Sequence, residues 1–301
     1  MLHDKQQNIK VHFAGCEITT AADIHVQCAK LKYGLFTCLP YLGERVGIKT
    51  VTFHNYGTRG IKYLEDKMEH VIMDSGLFSL MFGAHAAPRD EKFVSTWTDL
   101  IIDFVLENDL GVTVVEVDSQ KLLGADETWK FRERMRDRLP NKMINVFHLE
   151  DGQKGLDRLI EFSEYIAVSL PELRKTGKKD YAVRLVNYIK NKKPSIDIHL
   201  LGCTENKLLR DLRFCTSADS TAWQAVNRWG QISYNNNEKT RKVKTSLIDP
   251  KTLDQFEPQV KETLARWNIE PTENWIYYYK KFALAGVITK KQYEVHAGPQ
   301  D

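Results

Sequence analysis

The chain has no Cys-x-x-Cys pair among its five cysteines, Cys16, Cys28, Cys38, Cys203 and Cys215. An odd, scattered set in mainly apolar surroundings excludes a disulfide framework and offers no zinc-ligand spacing, so the thiols are expected to be reduced and in or near a core. No apolar run approaches the roughly 20 residues that span a bilayer, and the opening stretch MLHDKQQNIKVHFAG has no basic segment followed by a long apolar one. A cytoplasmic protein with no membrane partner is the expectation. Neither Gly-x-Gly-x-x-Gly nor a Gly-x-x-x-x-Gly-Lys-Ser/Thr loop follows any candidate strand, which weakens an open doubly wound sheet, and no cofactor is expected.

Net charge is also scarce. Lys and Arg number 43 against 40 Asp and Glu, and 12 against 9 of these lie from Ser220 onward, so residues 1–219 balance. Two runs concentrate the basic residues: RKTGKKDYAVRLVNYIKNKK (174–193) and RWGQISYNNNEKTRKVK (228–244). Either run alone reads equally well as a solvated face. Together, with Trp229 and Tyr234 in the second, they suit a polyanion whose bases can stack.

With 301 residues, 42% of them hydrophobic, the chain can bury a sizeable core. Eight short apolar runs mark it: VHFAG (11–15), YGLFTCL (33–39), HVIMDSG (70–76), VTVVEVD (112–118), INVFHL (144–149), YIAVSL (165–170), DIHLLG (197–202) and RFCTSAD (213–219). Amphipathic stretches such as DEKFVSTWTDLIIDFVLEND and DYAVRLVNYIKN lie between them. Strands that are continuously apolar belong to a parallel sheet covered on its outside, and eight of them close a barrel. The predicted fold is α/β, a (β/α)8 TIM-type barrel over residues 1–230 with a helical, basic C-terminal extension, 231–301, packed on it. KTVTFH (49–54) is a spare β-like run, placed in an insertion between the second and third strands.

Barrel enzymes place their chemistry at the C-terminal ends of the strands. Those ends hold Asp74, Asp118, His148, Ser169, Gly202 and Asp219. Each has a plain structural reading: Asp74, Asp118 or the Asp219-Ser220 pair as helix caps, His148 as a satisfied core imidazole. Three strand ends finishing in Asp are harder to explain that way, because carboxylates aimed into one mouth repel one another and raise their own pKa values.

The motifs VIMDSGLFS, VVEVD, HLLGCTENKLL and CTSADSTAW, in this order on successive strands, resemble the tRNA-guanine transglycosylase superfamily. Within it they look most like the 7-deazaguanine DNA transglycosylases (DpdA type) of phages and bacterial genomic islands. The resemblance implies base exchange, in which guanine leaves a nucleotide and a free 7-deazaguanine base joins the same C1′. It implies Asp219 as nucleophile and Asp74 as acid and base, with Ser75 and Gly76 in the same Asp-Ser-Gly-x-Phe motif lining the pocket. Asp118 would bind the amino and N1 edge of the purine. His148, standing where the tRNA enzymes carry Gln, would donate to O6. The backbone at Ser169 and Leu170, together with Gly202, would complete the pocket.

The departures also inform. Leu77 and Ser79 replace a Gly and a Gln of the bacterial tRNA enzymes, and their Cys-x-Cys-x-x-Cys plus His zinc site is absent, so no metal is expected. DNA is therefore preferred to tRNA as the nucleic-acid partner, with Lys178, Lys179, Arg241 and Lys242 holding phosphates while the target nucleotide is extruded. A tRNA substrate, a catalytically silent nucleic-acid-binding accessory subunit, and an unrelated barrel glycosidase are the alternatives. A homodimer or a helper protein is left open.

Overall fold

The computed structural model describes residues 8–50, 54–82, 88, 90–177, 180–203, 205–236 and 239–301. Eight parallel strands close into a barrel in sequence order. They are β1 (Lys10–Ala14), β2 (Tyr33–Thr37), β3 (His70–Asp74), β4 (Thr113–Val115), β5 (Met143–Phe147), β6 (Tyr165–Ser169), β7 (Asp197–Leu201) and β8 (Ser217–Ser220). β8 pairs back onto β1, with Asp219 beside His12. All eight predicted strands are present. The spare run at 49–54 lies largely outside the described residues.

Period-two alternation divides each strand between two environments. One set of residues forms a small apolar layer inside the barrel, with Ala14, Leu35, Ile72, Val115, Val146 and Ala167 in it. The other set meets the surrounding helices. Those helices carry apolar stripes at i, i+3 and i+4: Gly152–Phe162 buries Leu156, Leu159 and Ile160, and Tyr181–Lys192 buries Ala182, Leu185, Val186 and Ile189.

The barrel interior is also polar. His12 Nε2 lies 2.8 Å from His70 Nδ1, and His70 Nε2 lies 2.7 Å from Thr113 Oγ1. Burial pushes His12 well below its ordinary pKa, with repulsion from His70 and His199 adding to it. His70 falls to about 4, mainly through burial and then through Lys142 and His199. Both rings are therefore neutral core members linked by hydrogen bonds.

The C-terminal segment is helical, as expected, only after a hairpin. β9 (Gln231–Asn236) and β10 (Lys239–Lys244) form a two-stranded antiparallel sheet, followed by helices Pro250–Asp254, Glu257–Arg266 and Glu273–Ala297. The local reason is alternation: Ile232 and Tyr234 stand opposite Val243 and Arg241, which is strand chemistry rather than helix chemistry. The helices are fixed to the barrel's first α-helix, Thr19–Ala29. There the buried Asp23 accepts from Arg266 Nη1 at 2.6 Å, Trp267 Nε1 at 2.8 Å and Tyr63 Oη at 2.5 Å. Near the end of the chain, Gln300 accepts from Val11 N at 2.8 Å and donates to Ile9 O at 2.9 Å, which clasps β1.

His25, on the same first helix, is fully buried against Phe13, Trp223 and Phe282, and neither ring nitrogen has a hydrogen-bond partner. It lies over Gly286 of the long helix, where an added Cβ would come within 2.2 Å of Nδ1. Burial lowers its pKa to about 3. Above about pH 6.5 both folded and unfolded chains hold this ring neutral; below it only the unfolded chain takes the proton, so stability is lost as pH falls toward about 3. Wild type should therefore lose about 1.4 kcal/mol of stability relative to His25→Leu for each pH unit below 6.5. Denaturant melts of both proteins at several pH values read this directly, and parallel curves would contradict it.

Candidate active site at the barrel mouth

Asp74 is the last residue of β3, and its Oδ1 accepts from Gly76 N at 2.7 Å in a tight turn. Gly76 has φ +68°, and a Cβ there would lie 2.7 Å from Thr37 Oγ1, so this turn requires glycine. The carbonyl of buried Ser75 accepts from Trp97 Nε1 at 2.9 Å and from Cys38 Sγ at 3.0 Å, which anchors the turn to the outer wall. Burial raises the Asp74 pKa to about 7. The charge of Asp118 pushes it the same way, the Gly76 N–H opposes, and Asp219 and Glu17 add further repulsion. Asp74 thus reports that several carboxylates share one mouth.

Asp219 lies within β8, and both of its hydrogen bonds fall on Oδ1: Gly202 N donates at 2.6 Å, and His199 Nε2 lies 3.2 Å away. Gly202, one residue past β7, has φ +63°, and a Cβ there would meet Pro171 at 2.7 Å. The turn after β8 is held instead by Ser220, whose Oγ accepts from Ala222 N at 3.2 Å. Asp219 is therefore not a helix cap. The two residues of the Asp-Ser pair divide the work, with Ser220 in the turn and Asp219 facing the interior.

Asp118 stands three residues past β4. Its Oδ2 lies 3.1 Å from His148 Nε2, and His148 Nδ1 lies 3.0 Å from Glu172 Oε2. Lys121 then reaches Glu172 Oε1 at 2.9 Å, so charges alternate along Asp118, His148, Glu172 and Lys121. Burial is the largest influence on His148 and disfavours its charge. The hydrogen bonds and attraction of Asp118 and Glu172 together outweigh it and raise the ring to about 10. With both nitrogens engaged by carboxylates, His148 orients Asp118, and a purine O6 would have to displace that carboxylate to be reached. Ser169 ends β6 and Leu170 opens the helix Leu170–Lys175 that carries Glu172; both are buried.

One residue at this face, Glu17, had escaped the sequence reading, and a second, Phe78, was named there only as the last residue of the Asp-Ser-Gly-x-Phe motif. Glu17, three residues past β1, accepts from Thr37 N at 3.4 Å, has its pKa raised by burial, and feels the attraction of Arg228. Nothing in GCEIT marks it before the strands are closed. Phe78, four residues past Asp74, is 58% exposed on the short helix Leu77–Phe82.

Among the described residues, one set of metal-type donors converges: His148, Glu150 and Glu172, with donor atoms within 4.8 Å. His148 and Glu172 use those atoms on each other, so the set reads as an ion-pair chain. All five cysteines are free, and four are buried. No described helix is long and apolar enough to cross a membrane.

The proposed phosphate contacts are dispersed. Arg241 and Lys242 are exposed on β10, and Trp229, just before the hairpin, is 69% exposed. Lys178 and Lys179 lie outside the described residues. The barrel mouth thus brings together Asp74, Ser75, Gly76, Asp118, His148, Ser169, Leu170, Gly202 and Asp219, and the hairpin carries the basic pair. The chain matches no family model and no curated protein, so the site is read from its own geometry.

Proposed function

We propose that this protein is a base-exchange transglycosylase that replaces guanine in DNA with a 7-deazaguanine through a covalent aspartyl intermediate. The observation that carries this reading is the contrast between two carboxylates at one mouth. Asp74 is pushed to about 7, suited to giving and taking a proton near neutrality, and Asp219 is held through one oxygen by two donors. In the first displacement an Asp219 oxygen bonds to C1′, the glycosidic C1′–N9 bond breaks, and Asp74 gives its proton to the departing guanine. In the second, N9 of the incoming base loses its proton to Asp74, attacks C1′ and expels Asp219. Two inversions retain the anomeric configuration.

Asp118, oriented by His148, supplies a fixed acceptor for the amino and N1 donors of a guanine-like edge. The exposed ring of Phe78 offers a face for stacking. A duplex cannot present C1′ to a barrel mouth, so the target nucleotide must be extruded, with exposed cations such as Arg241 and Lys242 on the flanking phosphates.

The hairpin makes a separate prediction. Arg241→Ala with Lys242→Ala should weaken DNA binding and reduce the slope of log affinity against log salt by about 2, while affinity for the free base is unchanged. Filter binding across salt concentrations reads it. An unaltered slope would return both residues to the solvated surface.

A further inference from the structure

Inside the barrel a second hydrogen-bonded chain runs parallel to the His12–His70–Thr113 chain, and this one ends on Asp219. Tyr165 of β6, His199 of β7 and Ser217 of β8 all face the interior, with His199 and Ser217 paired in the strand register. Tyr165 Oη lies 2.5 Å from Ser217 Oγ, Ser217 Oγ lies 2.5 Å from His199 Nδ1, and His199 Nε2 lies 3.2 Å from Asp219 Oδ1. His199 is 0% exposed, out of reach of substrate and solvent.

For a neutral His199 ring, counting protons fixes the direction of this chain. As a carboxylate, Asp219 can only accept, so the shared proton belongs on His199 Nε2. A neutral ring protonated there must accept at Nδ1, which obliges the Ser217 hydroxyl to donate to it. Ser217 then has no proton left for Tyr165 and accepts from the Tyr165 hydroxyl. Each donor is used once, and the only tautomer that satisfies all three contacts places an N–H on the carboxylate.

We infer that His199 is a positioning residue for the nucleophile, held in its Nε2–H tautomer by the Tyr165–Ser217 pair, so that Oδ1 is fixed and Oδ2 is the oxygen that attacks C1′. This rests on the reading of Asp219 as nucleophile. Gly202 N–H and His199 Nε2–H converge on one oxygen, so the carboxylate cannot rotate to exchange its oxygens without breaking two bonds at once. The neighbouring His12–His70–Thr113 chain has the same chemistry, with His12 and Thr113 buried and His70 partly buried, but His12 Nδ1 meets the Ala218 carbonyl at 3.3 Å and no carboxylate. It supplies the control: a chain that only fills the core.

The test is single-turnover formation of a covalent protein–DNA adduct at saturating DNA, read on a denaturing gel beside thermal melts. His199→Phe should form adduct about tenfold more slowly with DNA affinity unchanged, because it loses orientation and not binding. His199→Gln, whose amide N–H can still reach Oδ1, should recover most of the rate. His70→Gln should lower the melting temperature and leave the rate near wild type. In imidazole nitrogen NMR of the free protein, His199 should be the Nε2–H tautomer, and Ser217→Ala should give a mixture of tautomers. A folded His199→Phe with the wild-type rate, equal losses in His70→Gln and His199→Phe, or an Nδ1–H tautomer in the wild type would each overturn the inference. If the wild-type protein forms no adduct with DNA or tRNA, the reading of Asp219 fails, and this inference fails with it; if only the His199 results fail, Asp219 stands.

Discussion

Asp219→Asn should fold and melt like the wild type, bind DNA, and form neither covalent adduct nor exchanged base. The substitution keeps the contacts that matter for structure, since an amide oxygen can still accept from Gly202 N and His199 Nε2. The adjacent turn depends on Ser220, not on Asp219. The expected stability change is therefore within about 1 kcal/mol. Chemistry is lost because an amide is far less nucleophilic than a carboxylate and cannot make the glycosyl ester. Asp74→Asn should also abolish exchange, since departing guanine goes unprotonated, but its effect on stability should depend on pH. The raised folded pKa of Asp74 means its stabilising influence is fully present below about pH 4 and is lost as pH rises through about 7. At pH 8 the buried charge is a cost, so Asp74→Asn should be at least as stable as wild type there. Wild-type exchange in Asp219→Asn would leave the protein without its nucleophile.

Arg132→Leu should be the most damaging single change to the fold. Arg132 is fully buried, with Nε 2.9 Å from each oxygen of Glu116, Nη2 donating to Val146 O at 2.8 Å, and Nη1 3.6 Å from Asp151. Removing it leaves two carboxylates of 0% side-chain exposure without a counter-charge, which costs about 3–5 kcal/mol, a melting shift of roughly 10 °C. The loss should reach the site as well. Asp151 Oδ2 accepts from His148 N at 2.9 Å and from Gln120 Nε2 at 3.3 Å, so this buried triad sets the end of β5 and the ring that orients Asp118. Thermal melts and free-base binding should fall together. A melt within about 2 °C of wild type would show that the triad is not what holds β5.

The strands were legible in the sequence because a covered parallel sheet must be apolar on both faces, and runs such as YIAVS and DIHLL show it. Asp74, Asp118 and Asp219 were legible as candidates for the barrel mouth because each closes such a run. Other features could not be read, for identifiable reasons. Glu17 follows the short Gly15-Cys16 turn and becomes a mouth residue only when β1 closes against β8. His199 lies mid-strand, and only the register that sets it beside Ser217 shows that it faces Asp219. The O6 role suggested for His148 came from its position in the chain, whereas its partners, Asp118 past β4 and Glu172 on the helix after β6, come from two other βα connections. The hairpin was missed because QISYNN and KTRKVK carry too few apolar residues to register as strands until they are paired.

The most direct test of the central claim is nucleoside mass spectrometry of DNA after incubation with the protein and free 7-deazaguanine derivatives, with tRNA incubated in parallel. The account predicts a 2′-deoxy-7-deazaguanosine derivative in the DNA, an equal amount of released guanine, and neither product with Asp219→Asn. Incorporation into tRNA alone would contradict the DNA assignment, and no incorporation into either polymer by a folded wild-type protein would contradict base exchange itself.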